Sequence, residues 1–213
     1  LGCSSSCKKE NKSASFWWRM NFLAAQSPAG PYYSSNSSGS FGHLKCVVAS
    51  CPTLVVGKAN NGFSFDGVND YLEKKSDVSD GILSSPQFSI EAWINPDADC
   101  CDNLSPSNHG RRIVEKGGEG TAQNGTGLYD GGFTFGLGDG RSLKLTVWNT
   151  NKDYTYINST AQIPAGEWSH VVAVFDSYSN NGSISTGILN LYINDSSGNS
   201  NLKSVRWGGE RRL

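Results

Sequence analysis

The chain has 213 residues, 37% of them hydrophobic, with 25 glycines, six tryptophans and one methionine. That length suits one all-β domain, and the composition favours short strands and tight turns over packed helices. The 18 basic and 19 acidic residues leave a net charge of -1 without long runs of either sign, which argues against nucleic acid as a partner, and no apolar run reaches the ~20 residues of a membrane span.

In chain order, residues 1–14 form a polar tail without periodicity. The segment "SFWWRMNFL" is a first strand, and Ala24 to Thr53 is mostly loop, with a short strand around Leu44 to Val48. In "GFSFDGVNDYLEKK", strand runs Gly62 to Phe65 and Asp70 to Lys75 flank the turn Asp66-Gly67-Val68-Asn69, where glycine suits the backbone. Strict alternation begins at "FSIEAWIN": Phe88, Ile90, Ala92 and Ile94 share one face, and Glu91 and Trp93 the other. The same pattern sets Leu143, Leu145 and Val147 against Lys144, Thr146 and Trp148. It then sets Leu189, Leu191 and Ile193 against Asn190, Tyr192 and Asn194. "GGFTFGLG" is a further strand, and "EWSHVVAVFD", apolar on both faces, belongs at the centre of a sheet. These strands predict two antiparallel sheets packed face to face.

The six cysteines fall as Cys3 and Cys7, Cys46 and Cys51, and Cys100 and Cys101. Their even number favours disulfides over zinc or free thiols, because His43, His109 and His170 have no ligand spacing. Sequons begin at Asn11, Asn36, Asn103, Asn124, Asn158, Asn181 and Asn194. Cysteines and sequons together point to a secreted or cell-surface protein. No signal peptide is visible, so an exported protein would be present here in processed form. "LGC" resembles the end of a bacterial lipoprotein signal without the hydrophobic stretch that should precede it.

The ordered segments "GFSFDGVNDYLE", "FSIEAWINPD", "IVEKGG", "GFTFGLGDGRSLKLTVWN", "IPAGEWSHVVAVFD" and "LNLYIND" resemble the laminin-G-like domains of the concanavalin A-like lectin and glucanase superfamily. The resemblance implies a jelly-roll sandwich over residues 15–213, in which the Phe-Asp-Gly turn and the "EAW" and "GEWSHVVAVFD" strands are chiefly structural. It also implies lectin-like sugar binding, adhesion or, in other branches, glycoside hydrolysis. After "LYIND" the family continues with two strands, whereas this chain has only "NLKSVRWGGERRL". Either Lys203 to Trp207 closes the sheet or an edge stays open to another copy.

The chemistry follows from side chains on the outer faces. The hydrolytic E-x-D-x-x-E pattern is absent and Glu91 has no acidic residue two positions away, which argues against an enzyme. No G-x-S-x-G turn accompanies His170, which reads as a packed or rim histidine, and "GGEGTAQNGTG" lacks the context of a phosphate loop. Asp66 and Asp70, and Asp97, Asp99 and Asp102, carry oxygen ligands suited to calcium, or belong to a turn and a solvated loop. Trp93, Trp148 and Tyr192 lie opposite the apolar positions, beside Glu91 and Lys144, and flat rings among polar groups suit sugars. The expected function is a non-catalytic module binding glycans or cell-surface glycoproteins. The alternative is a structural subunit of a filament, sheath or virion surface that pairs with copies of itself.

Overall fold

The computed structural model describes residues 18–25, 32–36, 44–73, 87–98, 100–101, 111–116, 132–148, 154–180, 185–194 and 203–207. They fall into two compact units, 1–82 and 83–213, and each is described by itself. Among the described residues strands dominate, the only helical elements being 3-10 turns at Val48–Ser50 and Asp139–Arg141.

In the first unit β1 (Trp18–Ala25), β2 (Tyr32–Asn36) and β3 (Leu44–Cys46) form an antiparallel sheet, and β4 (Thr53–Val56) pairs with β5 (Asn61–Ser64). Strands β2 and β4 were not expected from sequence. Of the run expected over 70–75, the described part is not a strand, apart from a single bridge between Lys45 and Glu73. The reason is local: the Asp66 Oδ1 atom accepts the N–H groups of Val68, Asn69 and Asp70 at 2.8, 3.1 and 3.3 Å. Amides gathered on one carboxylate oxygen curl the chain and leave the ladder. The segment is strapped back by Tyr71 N–H donating to the Ser50 carbonyl at 3.1 Å, by two backbone bonds between Lys45 and Glu73, and by Asn69 Nδ2 donating to the Ala49 carbonyl.

The second unit holds two four-stranded antiparallel sheets, the fold class expected from sequence. One sheet is a meander of β7 (Arg111–Lys116), β8 (Gly132–Leu137), β9 (Ser142–Trp148) and β10 (Tyr154–Gln162). The other orders β6 (Gln87–Ile94), β11 (Ser169–Asn180), β12 (Ser185–Ile193) and β13 (Lys203–Trp207), with β11 and β12 inside. All pairings are antiparallel. Lys203 to Trp207 forms a strand beside β12 at one edge of this sheet, and β6 is the other edge among the described residues, so the strand is present without closing the sheet.

Alternation supplies the core. Phe133, Phe135, Leu143, Leu145 and Val147 from the meander meet Val171, Ala173, Leu189 and Leu191 from the opposite sheet, all nearly inaccessible to solvent, with Phe88, Ile90, Ala92 and Ile94 of β6 packed against them. The Phe88 ring lies 4.7 Å from that of Phe133 and 5.5 Å from that of Phe175. Non-directional burial of this continuous apolar layer holds the two sheets together. At Gly136 an added Cβ would overlap the Arg111 carbonyl oxygen. The missing side chain lets β7 approach β8, where their register shifts between Arg112 and Val114.

Candidate functional site

Because every second residue of β6, β11 and β12 enters the core, the others face outward together. Register sets Trp93 opposite His170, and Glu91 opposite Val172, which in turn sits opposite Tyr192. Sheet pairing thereby gathers Glu91, Trp93, His170 and Tyr192, residues far apart in sequence, on one outer face. The Trp93 ring, 50% exposed, lies 5.1 Å from the His170 ring at an interplanar angle of 34°. His170 Nε2 stands 3.6 Å from Glu91 Oε2. The backbone of His170 is fixed from the other side: its N–H donates to Asn194 Oδ1 at 2.9 Å, and its carbonyl accepts from the Asn194 N–H at 2.8 Å. Asn194 adopts a φ of 50°, which asparagine tolerates better than most residues.

The result is a supported aromatic surface with a carboxylate, an imidazole, a phenol and an amide around it. Such a surface can stack against the C–H face of a pyranose while its polar neighbours exchange hydrogen bonds with hydroxyls.

The five residues picked from sequence for glycan contact do not form one site. Glu91, Trp93 and Tyr192 share the face just described. Lys144 and Trp148 belong to β9, in the other sheet. There Lys144 Nζ lies 4.9 Å from the centroid of the Tyr156 ring, a cation–π arrangement. Tyr154 and Tyr156 stack at 6.4 Å and 22°. Sequence reading missed His170 and Asn194 as supports of Trp93, and missed Tyr154 and Tyr156 because β10 itself was missed.

The acidic residues lie elsewhere. Asp66 gathers backbone amides, and its own N–H donates to Asp70 Oδ2 at 2.9 Å. The bonds from Val68 and Asn69 lead in holding the Asp66 carboxyl below its ordinary value. Asp97 accepts the Cys100 N–H through its backbone carbonyl at 3.3 Å, while Asp99 and Asp102 lie outside the described residues. Among the described residues no group of three or more His, Cys, Asp or Glu is placed to hold a metal.

Cys46 pairs with Cys51, and Cys100 with its neighbour Cys101. Cys3 and Cys7 lie outside the described residues. Of the sequon asparagines, Asn36 ends β2, Asn158 is exposed in β10 and Asn194 is exposed after β12. Asn11, Asn103, Asn124 and Asn181 lie outside the described residues, as does the glycine-rich run 117–127. Among the described residues no helix is long and apolar enough to cross a membrane.

Comparison with known proteins rests on one family. A laminin G family model, described as the concanavalin A-like lectin/glucanases superfamily, matches residues 65–207. No curated protein matches the chain, and neither does any solved structure. With more than half of its length matched, the chain belongs to the laminin G group of the concanavalin A-like lectin/glucanases superfamily.

Proposed function

We propose that the protein is a non-catalytic, extracellular recognition module that binds glycans on the outer face of the β6–β11–β12 sheet. The observation that carries this reading is the half-exposed Trp93 ring, held against His170 and flanked by Glu91. Trp93 stacks on the sugar, Glu91 accepts hydrogen bonds from hydroxyls, and Tyr192 supplies a second contact one strand pair away. Membership of a superfamily of lectins and glucanases supports a carbohydrate partner. The pairs Cys46–Cys51 and Cys100–Cys101 support an oxidising, secreted or cell-surface setting.

The test is titration calorimetry with the glycans that the native chain retains. Trp93→Ala should weaken binding at least tenfold, about 1.4 kcal/mol or more, with the melting temperature close to native. Binding unchanged in both Trp93→Ala and Tyr192→Ala contradicts the reading.

A second reading, a structural subunit joined to copies of itself, is favoured by one feature. Strand β6, eight residues long, ends its sheet among the described residues, and an edge strand is a template for pairing with another chain. Light scattering decides it: concentration-dependent growth in mass supports assembly, and a constant monomer mass contradicts it.

A further inference from the structure

We propose that Asn158 is an N-glycan attachment site and that its glycan covers β10, the outer strand of the meander sheet. The inference shares with the reading above only the secreted setting, and it needs no glycan binding at Trp93.

Asn158, Ser159 and Thr160 form an N-x-T acceptor triplet, and β10 divides the triplet between two faces. Ser159 turns inward, beside the core residue Ile157. Its Oγ accepts the Leu143 N–H at 2.8 Å and donates to the Ala161 carbonyl at 2.6 Å. Asn158 and Thr160 point the other way and are exposed, as alternation along a strand requires. The acceptor amide and the hydroxyl that defines the triplet are therefore both at the surface. The ladder to β9 also breaks here, its register shifting between Asn158 and Gln162. Asn194 is exposed as well, but its Oδ1 takes the His170 N–H at 2.9 Å and so anchors the Trp93 face.

The position of Asn158 gives the glycan a use. Strand β10, nine residues long, ends its sheet among the described residues, and a terminal strand is a template for pairing with another chain. Tyr154 and Tyr156, 60% and 41% exposed, add two rings on the same side of the strand as Asn158. One strand further in, Thr146 is buried, and so is Thr134 beyond it. The accessible part of this face is thus its β10 margin. A bulky, hydrated oligosaccharide rooted two residues from Tyr156 stands over that margin and obstructs a second strand. Strand β6 contains no asparagine, so the device acts on the meander sheet and leaves the β6 edge open.

The co-reactant is a lipid-diphosphate-linked oligosaccharide of the secretory pathway. The bond from Asn158 Nδ2 to the anomeric carbon forms as the anomeric C–O bond breaks. The lipid diphosphate leaves, and the amide gives up one proton.

The test is secretion of the full chain, led by a cleavable signal sequence, from insect cells, with glycopeptides mapped from both medium and cells. Asn158 should carry a glycan in the native chain and in Thr160→Ser, which keeps the triplet. The Asn158→Gln and Thr160→Ala variants should lose it. Light scattering at rising concentration should then give these two variants about twice the mass of the native chain, as pairing of two copies requires. Trp93→Ala should behave as native in both measurements. The proposal is overturned if Asn158 is bare in the native chain, or if the variants without its glycan associate no more than the native chain does. A chain found only inside the cells counts against the secreted setting, while occupancy of Asn158 in that material still decides the proposal.

Discussion

Asp66 is held by geometry that a carboxylate and a glycine make together. Its Oδ1 receives three backbone N–H groups, and Gly67 follows at a φ of 73° with open space around an added Cβ. Gly67→Ala should therefore cost about 1 kcal/mol through backbone conformation alone, whereas Gly67→Asn should cost less. Denaturant unfolding checks both. Because the folded state lowers the Asp66 pKa, the carboxylate contributes stability above its ordinary titration range. That contribution fades as pH falls through the lowered value. Asp66→Ala should lower the melting temperature at neutral pH and should reduce the native-to-variant difference in acid; a difference independent of pH would contradict the bonding described. Sequence gave the turn its place and its glycine. The collapse of the following strand was hidden, because it depends on which amides reach Oδ1. Thr134 offers a second residue-scale test. Its buried hydroxyl lacks a partner among the described residues, so the isosteric Thr134→Val should be neutral or stabilising by about 1 kcal/mol.

At the level of strands, legibility followed burial pattern. Strands β6, β9 and β12 have one apolar and one polar face, so period-two alternation named their core residues correctly. Strand β10 escaped because one of its buried positions is polar. Ser159 Oγ accepts the Leu143 N–H at 2.8 Å and donates to the Ala161 carbonyl at 2.6 Å. Strand β7 is broken by its register shift, which disturbs alternation. Connections between strands have their own anchors. Arg141, at a φ of 61°, donates from Nε to the Ile163 carbonyl at 3.0 Å and from Nη1 to the Ala98 carbonyl at 2.9 Å. Arg141→Ala should cost about 2 kcal/mol, since the charge-assisted bond to the Ile163 carbonyl is partly buried and such bonds exceed ordinary ones. Phe135→Ala, with no exposure in the native chain, should cost about 4 kcal/mol. Trp93→Ala should cost about 1 kcal/mol or less, and urea midpoints would rank the three.

For the whole molecule, sequence order identified the family and the two-sheet architecture, but not how sites are assembled from it. Trp93 and Tyr192 were visible as outward residues. Their sharing of one face, and the separation of Lys144 and Trp148 onto the other sheet, depend on strand order, which alternation does not encode. His170 becomes informative only when β11 is placed against β6, so that its imidazole meets both Trp93 and Glu91. The fold itself allows binding, adhesion and catalysis alike, so function rests on the chemistry of these faces. The most direct measurement is a glycan array probed in parallel with the native chain and with Trp93→Ala. Selective retention of a small set of glycans by the native chain, with signals for neutral members lost in the variant, is the predicted result. A native chain that binds no glycan, or a variant that keeps the full native profile, would contradict it.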